Sequence, residues 1–122
     1  MSTNEIKSMK SLRERAKEFD VRLPFMEGRT KGDTNELLGQ DSTVTQYGFL
    51  PNEAGELYAV FTVKERSDKF YFGGTVITDR LFKLDQEGYR EAIEAEGLPI
   101  RMNQKKSKNN RTFIDVVLFP ED

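Results

Sequence analysis

A mainly β fold with accessory helices follows from three observations. The hydrophobic period changes from helical to alternating at residue 43. Turn-forming clusters, PNEAGE and ERSD, separate the alternating blocks. A second pair of alternating blocks, residues 100–104 and 112–119, brackets the polar stretch KKSKNN. A chain of 122 residues supports one domain with a single core that hides roughly two thirds of the unfolded surface. Within that one compact unit, residues 1–42 read as a helix plus an irregular connector and residues 43–122 as the β domain.

The first block, Asn4 to Phe19, places Ile6, Met9, Leu12, Ala16 and Phe19 at helical spacing with charged residues between them. Its cations are interleaved with Glu5, Glu14 and Glu18, which describes a solvated outer face. The apolar stripe either packs on the domain or, through Ile6, Met9, Leu12 and Phe19, meets a protein partner or a second copy. Residues 20–42 are broken by Pro24, Gly28, Gly32 and Gly39, so they predict irregular chain with a short turn of helix at 34–38. GRTKGDT is not a phosphate loop: Lys31 precedes Gly32, and Pro24 sits where a buried strand would have to run.

STVTQYGFL and LYAVFTVK predict the first two strands, and KFYFGGTVIT predicts the third. With residues 65–68 as the loop, Val63 faces Phe70, Thr62 faces Tyr71 and Phe61 faces Phe72. That register puts Leu57, Ala59, Phe61, Val63, Phe70, Phe72 and Val76 on a core face. It leaves Tyr58, Val60, Thr62, Lys64, Lys69 and Tyr71 on a semi-polar outer face. Gly73-Gly74 inside the third strand predicts a bulge or bend that curls the sheet towards closure. DQEGYREAIEAE, residues 85–96, predicts a helix that Gly97 ends and Pro99 prevents from continuing. Residues 100–104 and 112–119 predict the last two strands, the second with Ile114, Val116 and Leu118 inward and Phe113, Asp115 and Val117 outward.

Composition removes several functions. With no cysteine there are no disulfides or thiolate sites, which fits a reducing, cytoplasmic location. With no histidine there is no Ser-His or Cys-His nucleophile and no ordinary zinc site. No nucleophile and base pair into a named catalytic site, so the expectation is a non-enzyme without a cofactor. No apolar run reaches membrane-spanning length.

Strand, strand, strand, helix, strand, strand, preceded by a helical extension, is the element order of the five-stranded OB barrel. On that order, residues 43–119 resemble an OB-fold single-stranded nucleic-acid-binding domain, and the compact, charged style is similar to small accessory proteins of phages and mobile elements. The resemblance implies binding of single-stranded nucleic acid, DNA favoured over RNA, in an accessory role in replication or recombination. It implies a face on strands two and three, here Tyr58, Thr62, Lys64, Lys69 and Tyr71. It implies a rim in the last hairpin, here Arg101, Lys105, Lys106, Lys108, Asn110, Arg111 and Phe113. The other rim loop, PNEAGE, departs from the pattern, because Glu53 and Glu56 repel phosphate.

Local charge supports the hairpin. Between Leu98 and Ile114 stand Arg101, Lys105, Lys106, Lys108 and Arg111 with no acid, in a chain whose net charge is −2. A polyanion samples the field within about a Debye length, ~10 Å, so a basic rim binds whatever the total charge. Each feature also has a plainer role: a charged tip keeps a hairpin soluble, edge lysines block strand aggregation, and paired tyrosines pack across strands. The competing function is a protein-interaction module that binds no nucleic acid.

Overall fold

The computed structural model describes residues 23–120. The amphipathic stretch with Ile6, Met9, Leu12 and Phe19 lies outside the described residues. Six strands form one mixed sheet: β1 (Thr30–Lys31), β2 (Asp41–Pro51), β3 (Leu57–Val63), β4 (Lys69–Phe72), β5 (Leu98–Lys106) and β6 (Thr112–Leu118). Their order across the sheet is β1-β4-β3-β2-β5-β6. Among the described strands only β1 and β4 pair in parallel. Two helices, α1 (Thr75–Gln86) and α2 (Arg90–Glu96), stand between β4 and β5 in the chain. The class is thus mainly β with accessory helices, but the described sheet is open and has six strands, where five closed into a barrel were expected.

Strand β2 bends instead of closing. Its pairing with β3 skips one residue between Val44 and Gln46, leaving Thr45 as a bulge. The first half of β2 pairs with β5 and the second half only with β3. The bend was expected at Gly73-Gly74, which instead end β4 and start α1. Gly73 donates its N–H to the Ala59 carbonyl at 2.7 Å. A Cβ there would lie 2.6 Å from Ile77 Cγ2, so only glycine lets α1 turn this tightly onto the sheet. Val76, expected on a strand, is therefore the second residue of a helix whose Ile77 and Leu81 enter the core. The expected helix over residues 85–96 is broken at Gly88, φ +92°, so α2 is a separate element.

The β3–β4 register differs from expectation by one residue. Val60 pairs with Phe72 and Phe61 with Tyr71. Lys64–Arg66 form a turn of 3-10 helix, which lengthens the connection to residues 64–68. One added loop residue moves every β4 side chain to the opposite face. Tyr71 accordingly joins the main core with Val44, Phe61, Ile77, Leu81, Ile93, Ile100 and Met102. Phe70 and Phe72 join a second cluster with Met26, Leu50, Val60 and Tyr58.

That second cluster gives the connector a structural task. The 3-10 turn Pro24–Met26 covers the outer side of β3 and β4, and Met26 is buried there. The short turn expected at 34–38 is present as Thr34–Leu37, and Leu37 enters the main core. From residue 23 onward the connector is therefore part of the same packed unit as the strands.

Candidate nucleic-acid interface

The outer side of β3 and β4 is where the resemblance places a binding face; Pro24–Met26 covers part of it, and Tyr71, expected there, faces the main core instead. Tyr71 is 0 % exposed and Thr62 is 1 % exposed. Tyr71 stacks on Phe61 at 5.7 Å, and a Cβ at Gly32 would overlap its ring. Burial raises the pKa of its hydroxyl, helped by the Glu36 carboxylate. Thr62 shares a hydrogen bond of 2.8 Å with the Thr45 hydroxyl across the bulge. Both side chains are packed within the fold, where the resemblance implies a face open to a base. Lys69 reaches Glu36 at 3.5 Å, so its charge is partly answered, whereas Lys64 is exposed in the 3-10 turn.

Tyr58 keeps an outward position, half-buried and edge-on to Phe72 at 5.2 Å. Lys31 lies over the Phe72 ring, 4.8 Å from its centroid. Sequence reasoning missed Phe72 and Lys31. The parity of the loop hid the first, and β1, a strand of only two residues, hid the second. Glu56 lines the cleft next to Tyr58 without a cationic partner among the described residues, whereas Asp79 there is held by Lys83 at 3.3 Å and Arg80 at 3.7 Å.

The β5–β6 hairpin brings the other candidates together. Pairing of β5 with β2 ends at Asp41–Arg101, followed by an isolated bridge from Leu38 to Met102. From Asn103 to Asp115 the hairpin continues as a two-stranded ribbon. At its tip, Ser107 N–H donates to the Arg111 carbonyl at 2.8 Å, and Asn110 N–H donates to the Ser107 carbonyl at 2.9 Å. Asn110 has φ 61°, a left-handed position that asparagine tolerates, so its first role is to turn the chain.

The five cations of this region are not equivalent. Arg101 holds Asp41 through two nitrogens at 2.6 and 2.7 Å. Lys105 holds Asp115 at 2.9 Å, and that hydrogen bond is the main reason the Asp115 carboxyl stays below its usual pKa. Lys106, Lys108 and Arg111 are exposed and have no acidic partner among the described residues. Phe113 faces Lys105 across the ribbon and is 38 % exposed. Three unanswered cations and one aromatic ring thus share one arm.

Among the described residues no three acidic side chains converge as a metal site would need, and no helix is long and apolar enough to cross a membrane. No family model matches the chain, and comparison with curated proteins and with solved structures gave no match.

Proposed function

We propose that this chain binds single-stranded nucleic acid, DNA in preference to RNA, without catalysing a reaction on it, as an accessory protein in replication or recombination. The carrying observation is the hairpin arm: Lys106, Lys108 and Arg111 exposed without acidic partners, beside exposed Phe113. Cations that track a backbone, with an aromatic ring for a base to stack on, are the two ingredients of binding without sequence preference. Strand order lends support, because β4-β3-β2-β5-β6 is the order left when a five-stranded OB barrel is opened between its third and fifth strands. In this reading the contact is centred on the last hairpin and not on the sheet face, which Pro24–Met26 covers.

Fluorescence anisotropy with labelled single-stranded DNA, single-stranded RNA and duplex DNA across a salt series tests it. Three phosphate contacts predict a slope of log affinity against log salt of about −2, at ~0.7 per contact. Lys106→Gln, Lys108→Gln and Arg111→Gln together flatten that slope and weaken binding alike for all base sequences. An unchanged slope removes the arm from the interface. Absence of binding even at low salt leaves the protein-interaction reading, which the exposed side chains of Tyr89 and Phe119 favour.

A further inference from the structure

On the side of the molecule that carries the helices, a cleft of about 420 Å³ is lined by Leu84, Tyr89, Ile93, Leu98, Leu118 and Phe119. Its lips are apolar and open: Tyr89 is 50 % exposed and Phe119 65 %. Phe119 has φ 52°, a left-handed position unusual for a bulky residue, and its N–H donates to the Pro99 carbonyl at 2.9 Å. Its rim is acidic. Glu87 and Glu96 line the cleft, and neither has a cationic partner among the described residues. The nearby Arg90 is already committed to Asp85 at 2.9 Å and Glu94 at 3.6 Å. The cleft therefore suits an apolar group bordered by positive charge.

The far end of the β5–β6 hairpin presents that combination. Phe113 is 38 % exposed, and Lys106, Lys108 and Arg111 near it are exposed without acidic partners among the described residues. The Lys105–Phe113 pair lies one step from the Lys106–Thr112 pair that closes the ladder, so ring and cations share the tip. This tip cannot reach its own cleft. Leu98 and Leu118 of the cleft stand at the foot of the hairpin, and the ladder runs without a break from Ile100–Leu118 to Lys106–Thr112. Six residues along β6, about 20 Å at ~3.3 Å each, separate Leu118 from Thr112. Complementary surfaces at opposite ends of one ribbon can meet only between two copies.

We propose that the hairpin tip of one copy of this chain docks in the cleft of another, with Phe113 against Tyr89 and Phe119, and with Lys106, Lys108 and Arg111 facing Glu87 and Glu96. The contact joins two different patches, so it is head-to-tail and leaves a free tip and a free cleft for further copies. One tip in one cleft is a small contact, below the ~1,200 Å² that marks weak complexes, so association is weak and rises with concentration. It requires no nucleic acid.

The natural absence of cysteine permits single labels. Full chains carrying Asn109→Cys, at the exposed tip, are mixed with full chains carrying Ala92→Cys, on the exposed lining of the cleft, and treated with a short bismaleimide. Low salt is used and nucleic acid is left out, so a negative result bears on the docking and not on nucleic-acid binding. The expected result is a tip-to-cleft link that forms at least ~10-fold faster than tip-to-tip or cleft-to-cleft links, because opposite charges steer the first encounter and like charges oppose the others. Lys106→Glu, Lys108→Glu and Arg111→Glu in the tip-labelled chain remove that advantage, and Glu87→Lys with Glu96→Lys in the cleft-labelled chain restores it. The same change of charge by Glu53→Lys with Glu56→Lys, in the exposed turn between β2 and β3, does not restore it. Equal rates for the three links overturn the proposal, which is also the result expected if some other segment or partner fills the cleft. So does equal rescue by the two lysine pairs, which would reduce the effect to net charge.

Discussion

Tyr71 and Phe72 are adjacent in the chain and have opposite surroundings. Tyr71 is enclosed by Phe61, Gly32 and Glu36, whereas Phe72 is half-buried between Tyr58 and Lys31. Truncating a fully buried ring removes both its transfer energy and the packing around it, so Tyr71→Ala should cost about 3–5 kcal/mol. Phe72→Ala loses only a partial burial and should cost about 1–2 kcal/mol. Urea denaturation of the two variants checks the order. A larger loss for Phe72→Ala would restore the register with four loop residues, in which Phe72 and not Tyr71 faces the core. At this scale alternation gave the right faces on β3 and β6, and the wrong ones on β4. Nothing in ERSD says whether Lys64 ends a strand or begins a 3-10 turn.

Among the elements, the β5–β6 hairpin was legible from its sequence, because both strands alternate and the asparagine-rich tip marks the reversal. Its charge pairing was not legible, since partners from other elements decide it. Asp41 comes from β2 to Arg101, while Asp115 comes from the same hairpin to Lys105. The lowered pKa of Asp115 has a pH consequence with a definite sign. Its ion pair stabilises the folded state fully above the ordinary unfolded value, about 3.9. That contribution is lost as pH falls through this value towards the lower folded one. The stability difference between wild type and Asp115→Asn should therefore be present at pH 7 and shrink steadily below about pH 4. Urea midpoints measured from pH 7 to pH 3 check it; a pH-independent difference would mean that the carboxylate makes no charge-dependent contribution.

Over the whole molecule, two surface regions stand out by charge of opposite sign. Glu87, Glu91 and Glu96, without cationic partners among the described residues, lie at α2 and the chain just before it, whereas Lys106, Lys108 and Arg111, without acidic partners among the described residues, lie at the hairpin tip. The unit also extends further towards the N-terminus than residue 43. Met26 and Leu37 are buried, and β1 pairs with β4 from Thr30 and Lys31. A chain beginning at Gln40 therefore uncovers Tyr71, Phe70 and Val60, and it should lose cooperative thermal unfolding. A chain beginning at Arg22 keeps every described contact and should retain it. Circular dichroism melts of the two distinguish these outcomes, and a cooperative transition in the shorter chain would show that residues 23–39 are dispensable.

Strand and helix identity was determined by the sequence wherever the physics is local. Alternation predicts β2, β3, β5 and β6, Gly97 and Pro99 end a helix, and asparagine at a left-handed position turns the hairpin. Only the tertiary structure decided what depends on distant segments: that Tyr71 is core, that Phe72 faces outward beside Lys31, that Arg101 and Lys105 are already paired, and that residues 23–37 cover the sheet. A side chain's face is set by loop parity and its charge by whichever partner the fold brings within a few ångströms, and neither is a property of the residue's own neighbourhood in the chain.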